Sequence, residues 1–286
     1  GELVLLTLVQ LGGFGIMTIG SVLALIASRR VGLRQRMLAQ AEIGAVDIGE
    51  LRRLIIAIAK ITVGIECALA LVLCIRFWQG GYETNVGHAA YSAVFHSIAS
   101  FNNAGISLYS DNLERFVGDP VVVFGVSGAF IIGGLGFPIL VELRRRESHR
   151  RSGNASRPLP WSLHTKITLV ATAGLLVIGP LVVMTFEWTN PNTLGPLDTF
   201  DKLLAGWFQG VTPRTAGFNT VDIGGMNEPT LLVITTLMFI GAGPASTSGG
   251  IKVTTFAVLG YVLWSEVRGN GDVSVFNRRL PATIVR

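Results

Sequence analysis

Charge is what this sequence has least of. Only 14% of its 286 residues are Asp, Glu, Lys or Arg, while half are hydrophobic; soluble domains carry roughly 25% charged residues. A chain so poor in charge cannot cover a water-facing surface, and its mean hydropathy of +0.55 points the same way. An ordinary soluble domain is excluded, and a polytopic membrane protein fits. Cysteine is nearly absent. Cys67 and Cys74 lie in one apolar segment, too far apart along a helix to meet in a disulfide. Both read as small buried apolar side chains. There is no P-loop, no zinc-ligand spacing and no nucleophile–base constellation, so no enzyme is expected. The net charge of +5 would suit nucleic acid. The basic residues, however, gather in short stretches between apolar segments, as orientation in a lipid bilayer requires. No nucleic-acid partner is expected. The chain opens at Gly1 without an initiator Met or signal peptide. It ends at Arg286, shortly after an Arg-Arg-Leu-Pro stretch. A fragment cut at both ends is the expectation.

Five segments have the length of spanning helices, about 20 residues. They are Leu3–Ser28, Leu54–Trp78, Pro120–Leu143, Ile167–Trp188 and Thr230–Trp264, the last interrupted by GAGPASTSGG. Trp78, Trp188 and Trp264 stand at ends, as interfacial anchors do. The connecting stretches alternate in charge. Arg29, Arg30, Arg34, Arg36, Arg52 and Arg53 follow the first span. Glu83, Asp111, Glu114 and Asp119 follow the second, and arginines 144–146, 150, 151 and 157 the third. Asp198, Asp201, Asp222 and Glu228 follow the fourth, and Arg268, Arg278 and Arg279 the last. The positive-inside rule makes the first, third and last cytoplasmic. The basic run at 144–151 also suits anionic lipid.

Between spans lie two related stretches, FHSIASFNNAGIS (Phe95–Ser107) and FQGVTPRTAGFN (Phe208–Asn219), whose Ala-Gly pairs are 112 residues apart. Neither can cross a bilayer. Each reads as a short half-helix returning as extended chain. A glycine cluster follows each, Ile132–Gly136 and Ile240–Gly243, and a third opens the chain at Leu11–Gly15. The unit is span, re-entrant loop, glycine-bearing span, repeated in one orientation, unlike the inverted repeats of many transporters. Irregular backbone at membrane depth must be buried in protein or line a wet cavity. A desolvated cation is a natural partner for its carbonyls, and the C-terminal end of a short helix adds negative potential. Gly105 and Gly217 permit the backbone turns needed. Asn102, Asn103, Thr215 and Asn219 are candidates to hold that backbone. Pro244 and small residues from Gly241 to Lys252 break the last span, suggesting a hinge or plug. Lys252 reads either as a charge opposing a cation or as a side chain reaching for the interface. Glu66 is an intramembrane charge, a functional candidate by default. His96 is expected to bond neighbouring spans. Arg214 is expected to tether carbonyls or Asp222.

These stretches resemble the Trk/Ktr/HKT superfamily of potassium transporters. The match runs through QLGGFGIMT (Gln10–Thr18), FHSIASFNNAGISLYSDNL (Phe95–Leu113), FQGVTPRTAGFNTVD (Phe208–Asp222) and FIGAGPASTSGGIKVTT (Phe239–Thr255). KtrB-like and TrkH-like bacterial branches are the most similar. The resemblance implies an all-α integral membrane fold with four span–loop–span units around a pseudo-fourfold pore. Residues 1–50 would end the first unit, 51–150 form the second, 151–272 the third, and 273–286 open the fourth. It implies potassium at the backbone of Asn103, Ala104, Gly105, Ile106, Thr215, Ala216, Gly217 and Phe218. Ile106 stands where the family often has an aromatic residue. A gating loop would comprise Gly241, Gly243, Pro244, Ser246, Thr247, Ser248, Gly249, Gly250 and Lys252, with Ser248 near a position usually glycine. It further implies potassium uptake in the cell inner membrane, sodium or protons as candidate coupling ions, pore loops facing outward, a homodimer and a cytoplasmic RCK-type nucleotide-binding regulatory subunit. A non-conducting accessory protein, a transporter of another small solute and a membrane-embedded enzyme are the alternatives.

Overall fold

The computed structural model describes residues 1–36, 48–152 and 159–268, and beyond them two short strands. Nine helices form among the described residues: α1 (Glu2–Arg36), α2 (Ile48–Gln79), α3 (Val86–Phe101), α4 (Pro120–Leu135), α5 (Phe137–Arg151), α6 (Leu163–Glu187), α7 (Thr199–Val211), α8 (Glu228–Phe239) and α9 (Val253–Val267). The strands, Ser274–Val275 and Arg278–Arg279, pair antiparallel. Otherwise the expected opening of a further unit at 273–286 lies outside the described residues, as does Arg157.

Helix starts follow their capping residues. Asn85 accepts from His88 N, Asp198 from Asp201 N, and Ser162 from Thr165 N. Asp119 accepts from Val121 and Val122 N, with Pro120 beginning α4 where no amide partner is required. Three helices are long and apolar enough to cross a membrane, four if the bent α4–α5 pair is one span; α8 and α9 are shorter apolar helices. Leucines such as Leu3, Leu8, Leu181, Leu232 and Leu263 are exposed on them, as lipid-facing side chains are.

The element order runs through one pattern twice. α2, α3 and α4 correspond to α6, α7 and α8: a long span, a short half-helix and a second apolar helix. The half-helices pack on a shared aromatic core that includes Phe77, Phe95, Phe116, Phe130, Phe208 and Phe218. Each unit ties the end of its span to the start of its later helix, with different chemistry. In the first, Arg76 Nε donates to Asp119 Oδ2 at 2.6 Å. In the second, buried Glu187 accepts from Asn190 Nδ2, Thr193 Oγ1, Asn227 N and Thr230 Oγ1.

The expected span Pro120–Leu143 is not continuous. It breaks at Gly136, where α4 and α5 diverge by 100°. The cause is local. Pro138 has no amide for the Gly134 carbonyl one turn back, and it biases the residue before it away from helical geometry. Gly136 takes φ 89° and ψ 148°, a region nearly closed to residues with a side chain. The freed groups find partners elsewhere. Gly243 N donates to Gly134 O at 2.7 Å, Thr247 N to Gly133 O at 3.4 Å, and Phe137 N to Ala245 O at 3.1 Å. The third glycine cluster behaves differently, since α1 runs through Leu11–Gly15 unbroken. The cysteines also depart from expectation. Both are free, but Cys67 is exposed and Cys74 is half-buried against the aromatic core.

Gly136→Ala should lower stability by about 1–3 kcal/mol from backbone strain alone, and further because its methyl would meet the Pro244 carbonyl. The check is the thermal unfolding midpoint of the detergent-purified protein. An unchanged midpoint would contradict this account of the break.

Candidate functional site

The site lies where the two half-helices end. α3 stops at Phe101 with Asn102 as its cap, and α7 stops at Val211. Beyond each, the backbone takes positive φ at alternate residues: Asn103 (54°) and Gly105 (65°) in the first loop, Thr215 (81°) and Gly217 (81°) in the second. The pattern falls at positions 112 apart, as the sequence match requires. Positive φ at a β-branched residue such as Thr215 costs of order 1–3 kcal/mol and persists only where the surroundings impose it.

The loops meet at their glycines. A methyl group on Gly105 would stand 2.6 Å from the Ala216 carbonyl oxygen and 2.8 Å from Gly217 Cα. Only glycine permits that approach. Among the described residues, the carbonyls of Asn103, Ala104, Gly105, Ile106, Thr215, Ala216 and Gly217 accept no hydrogen bond from the chain. Phe218 differs, because its carbonyl accepts from Thr212 Oγ1 at 2.7 Å. Its ring is fully buried in the aromatic core, while Ile106, in the equivalent position, is half-buried against the same core.

Of the four side chains expected to hold the loops, three do so. Asn103 Nδ2 donates to Thr247 Oγ1 at 2.8 Å and to Phe130 O at 3.3 Å. Asn219 Nδ2 donates to Glu114 Oε1 and Val221 O. Asn102 Nδ2 donates to Glu66 Oε1, Gln10 Oε1 and Ile98 O. Thr215 Oγ1 has no partner among the described residues. The His96 ring packs edge-on against Phe77 of α2, but its nitrogens lie against Ser92 O and Ser107 Oγ of α3 and its own loop rather than bonding a neighbouring span. Nor does Arg214 tether Asp222, whose carboxylate accepts from Gly224 N. The Arg214 side chain is 7% exposed and its Nε is unpartnered among the described residues. Glu66, which no motif marked, proves part of the loop's support.

On the loop-exit side, Asp111, Glu114 and Asp222 bring negative charge near the loops. Arg115 beside Asp111 holds that carboxyl below its ordinary range. Burial pushes the Glu114 carboxyl up, and neighbouring Asp222 and Asp111 add to this.

Ile240 to Lys252, expected as a broken stretch, is non-helical and largely buried. Thr247 Oγ1 accepts from Asn103 and donates to Phe101 O at 3.0 Å, so this stretch touches the first loop directly. Lys252 Nζ donates to Ser248 O at 2.6 Å. Its charge is thus held by the loop's own backbone. Ser248 Oγ has no partner among the described residues.

Continuous apolar helices, half-helices returning as extended chain and a broken helix beneath them define a multi-pass α-helical membrane protein with re-entrant loops. The chain belongs to the TrkH family, whose model, described as cation transport protein, matches residues 1–286. It is 40% identical over 286 residues to Ktr system potassium uptake protein B of Bacillus subtilis, covering 100% of this chain and 61% of that protein. With the protein of the same name from Vibrio alginolyticus it shares 41% identity over 280 residues, 97% of this chain and 59% of the other. The crystal structure of the potassium transporter TrkH from Vibrio parahaemolyticus matches with TM-score 0.67 at 19% identity, over 97% of this chain and 53% of that one. That likeness shows the fold. The chain spans about three fifths of the length of these curated relatives.

Thr247→Val should remove one bond from the Phe101 carbonyl and one from the Asn103 amide, which keep their weaker partners, at about 0.5–1.5 kcal/mol per bond. Thr247→Ser should retain both bonds. Thermal unfolding of the two purified variants checks this, and equal midpoints would refute it.

Proposed function

We propose that this chain forms part of the pore of a potassium uptake protein in the cell inner membrane. The observation that carries the reading is the set of seven loop carbonyls without partners among the described residues, on two loops that touch at Gly105 and Gly217. Carbonyl oxygens grouped this way replace a cation's hydration shell. Asn103, Ala104, Gly105, Ile106, Thr215, Ala216 and Gly217 line the path, and Phe218 joins them with one lone pair already engaged. The half-helices α3 and α7 end at these loops, and their C-terminal dipoles favour a cation there. The relatives are a potassium uptake protein and a potassium transporter, which supports potassium as the ion.

In this reading four units surround the pore with pseudo-fourfold symmetry, and the chain supplies two of the four loops. The acidic stretches with the loops face outward, and the basic stretches face the cytoplasm, as the positive-inside rule directs. Potassium sheds its water at the carbonyls and then meets Gly241–Lys252, the gate. The membrane potential supplies about 2.3 kcal/mol per charge per 100 mV, with sodium or protons as candidate coupling ions. The working assembly is a homodimer with a cytoplasmic RCK-type nucleotide-binding subunit.

The test is growth at low potassium of a bacterium lacking its own uptake systems and expressing the full-length protein. Growth is expected for the natural sequence, and its absence with protein present in the membrane would overturn the reading. Gly105→Ala, which crowds the Ala216 carbonyl, should abolish that growth. A second expectation concerns the gate. Lys252→Ala removes the bond to Ser248 O and should raise resting potassium flux into proteoliposomes severalfold; flux equal to the natural protein would remove Lys252 from the gate.

A further inference from the structure

A buried carboxylate stands behind the first loop and forms no ion pair among the described residues. Glu66 lies midway along α2 and is 6% exposed. Its Oε2 accepts from Gln10 Nε2 of α1 at 3.0 Å, and its Oε1 accepts from Asn102 Nδ2 at 3.1 Å. Asn102 Nδ2 also donates to Gln10 Oε1 at 3.1 Å, closing a ring of three side chains. One turn earlier on α3, Ser97 Oγ donates to the Glu66 backbone carbonyl at 2.6 Å. Opposite Asn102, Gly13 of α1 has no room for a methyl group. Asn102 caps α3 and immediately precedes Asn103, the first positive-φ residue of the loop. The second loop has no such clamp: Arg214, at the corresponding position, has an unpartnered Nε among the described residues.

We propose that Glu66 is a positioning residue for cation selection, acting through Asn102 to fix where the carbonyls of Asn103–Ile106 stand. The inference rests on the reading of those carbonyls as the cation path. An ordinary helix-packing contact would use an apolar side chain here. A charge in apolar surroundings is retained only where its hydrogen bonds are needed. Charge-assisted bonds are also the stiffer choice for holding a loop to sub-ångström tolerance.

The test uses the full-length protein in proteoliposomes, with potassium and sodium uptake measured against concentration and normalised to folded protein. Glu66→Leu and Asn102→Leu should each raise the KM for potassium and lower potassium-over-sodium preference by about tenfold, the order carried by one charge-assisted hydrogen bond. The double variant Glu66→Leu/Asn102→Leu replaces both partners by apolar groups. It should recover part of the thermal stability lost in Glu66→Leu, since the buried Asn102 amide is no longer left short of its partner and only the half-buried Gln10 lacks one, while keeping the raised KM and lowered preference. Glu66→Gln keeps an acceptor for Asn102 but sets a donor against Gln10, and should fall between. Should Glu66→Leu not fold, the double variant and Glu66→Gln decide. Natural KM and preference in these variants would reduce Glu66 to a packing role and overturn the proposal. Absence of potassium flux in the natural protein would instead overturn the reading of the pore itself.

Discussion

Backbone polar groups away from water must find partners, and the break at Gly136 shows how far that requirement shapes this molecule. Pro138 withdraws one amide and the turn at Gly136 misaligns another. A helix ended this way at membrane depth leaves orphan groups costing several kcal/mol each. The partners come from the second unit: Gly243 N, Thr247 N and Ala245 O complete what α4 and α5 leave open. The irregular stretch after α8 therefore substitutes for a missing turn of its neighbour's helix. The two units are joined by main-chain bonds as well as by side-chain packing.

The same stretch reaches the first re-entrant loop. Thr247 lies between Phe101 O, the last residue of α3, and the Asn103 side chain at the start of the loop. A single hydroxyl thus connects the end of a half-helix, the first left-handed residue and the broken helix below. The two loops share backbone form but not support. Asn102 is held by Glu66 and Gln10, whereas Arg214 has its Nε unpaired. Phe218 is buried in the aromatic core and its carbonyl accepts from Thr212, whereas Ile106 is only half-buried against that core and its carbonyl has no partner among the described residues. Two stretches alike in sequence and backbone form are thus braced differently.

Much of this was legible in the residues. Paired Ala-Gly motifs at fixed separation marked the loops, and glycine with Pro244 marked the break after α8, because each motif needs a backbone geometry that few residues supply. The break at Gly136 was also written there, in Pro138 two residues on, but the apolar run around it looked like an uninterrupted span. Hydropathy measures side chains and is blind to a missing amide. Glu66 was visible as a costly charge, yet its role depends on Gln10 and Asn102, which lie 56 and 36 residues away. Only packing brings them together. His96 and Arg214 were misplaced for the same reason: a polar side chain's partner is a tertiary fact.

The mutual dependence of the broken helices constrains how any gate built from Gly241–Lys252 could move. Displacing it would strip partners from the carbonyls of Phe101, Gly133 and Gly134 and from the amide of Phe137. Together those losses exceed what a modest interaction elsewhere could offset, unless new partners arrive. Water is the partner that an opening path supplies. Opening of this loop and wetting of the Gly133–Phe137 corner are then one event, since neither is tolerable without the other. Under the proposed gating role, the barrier would stay closed because it is dry, and its bonds would be lost only along a hydrated path.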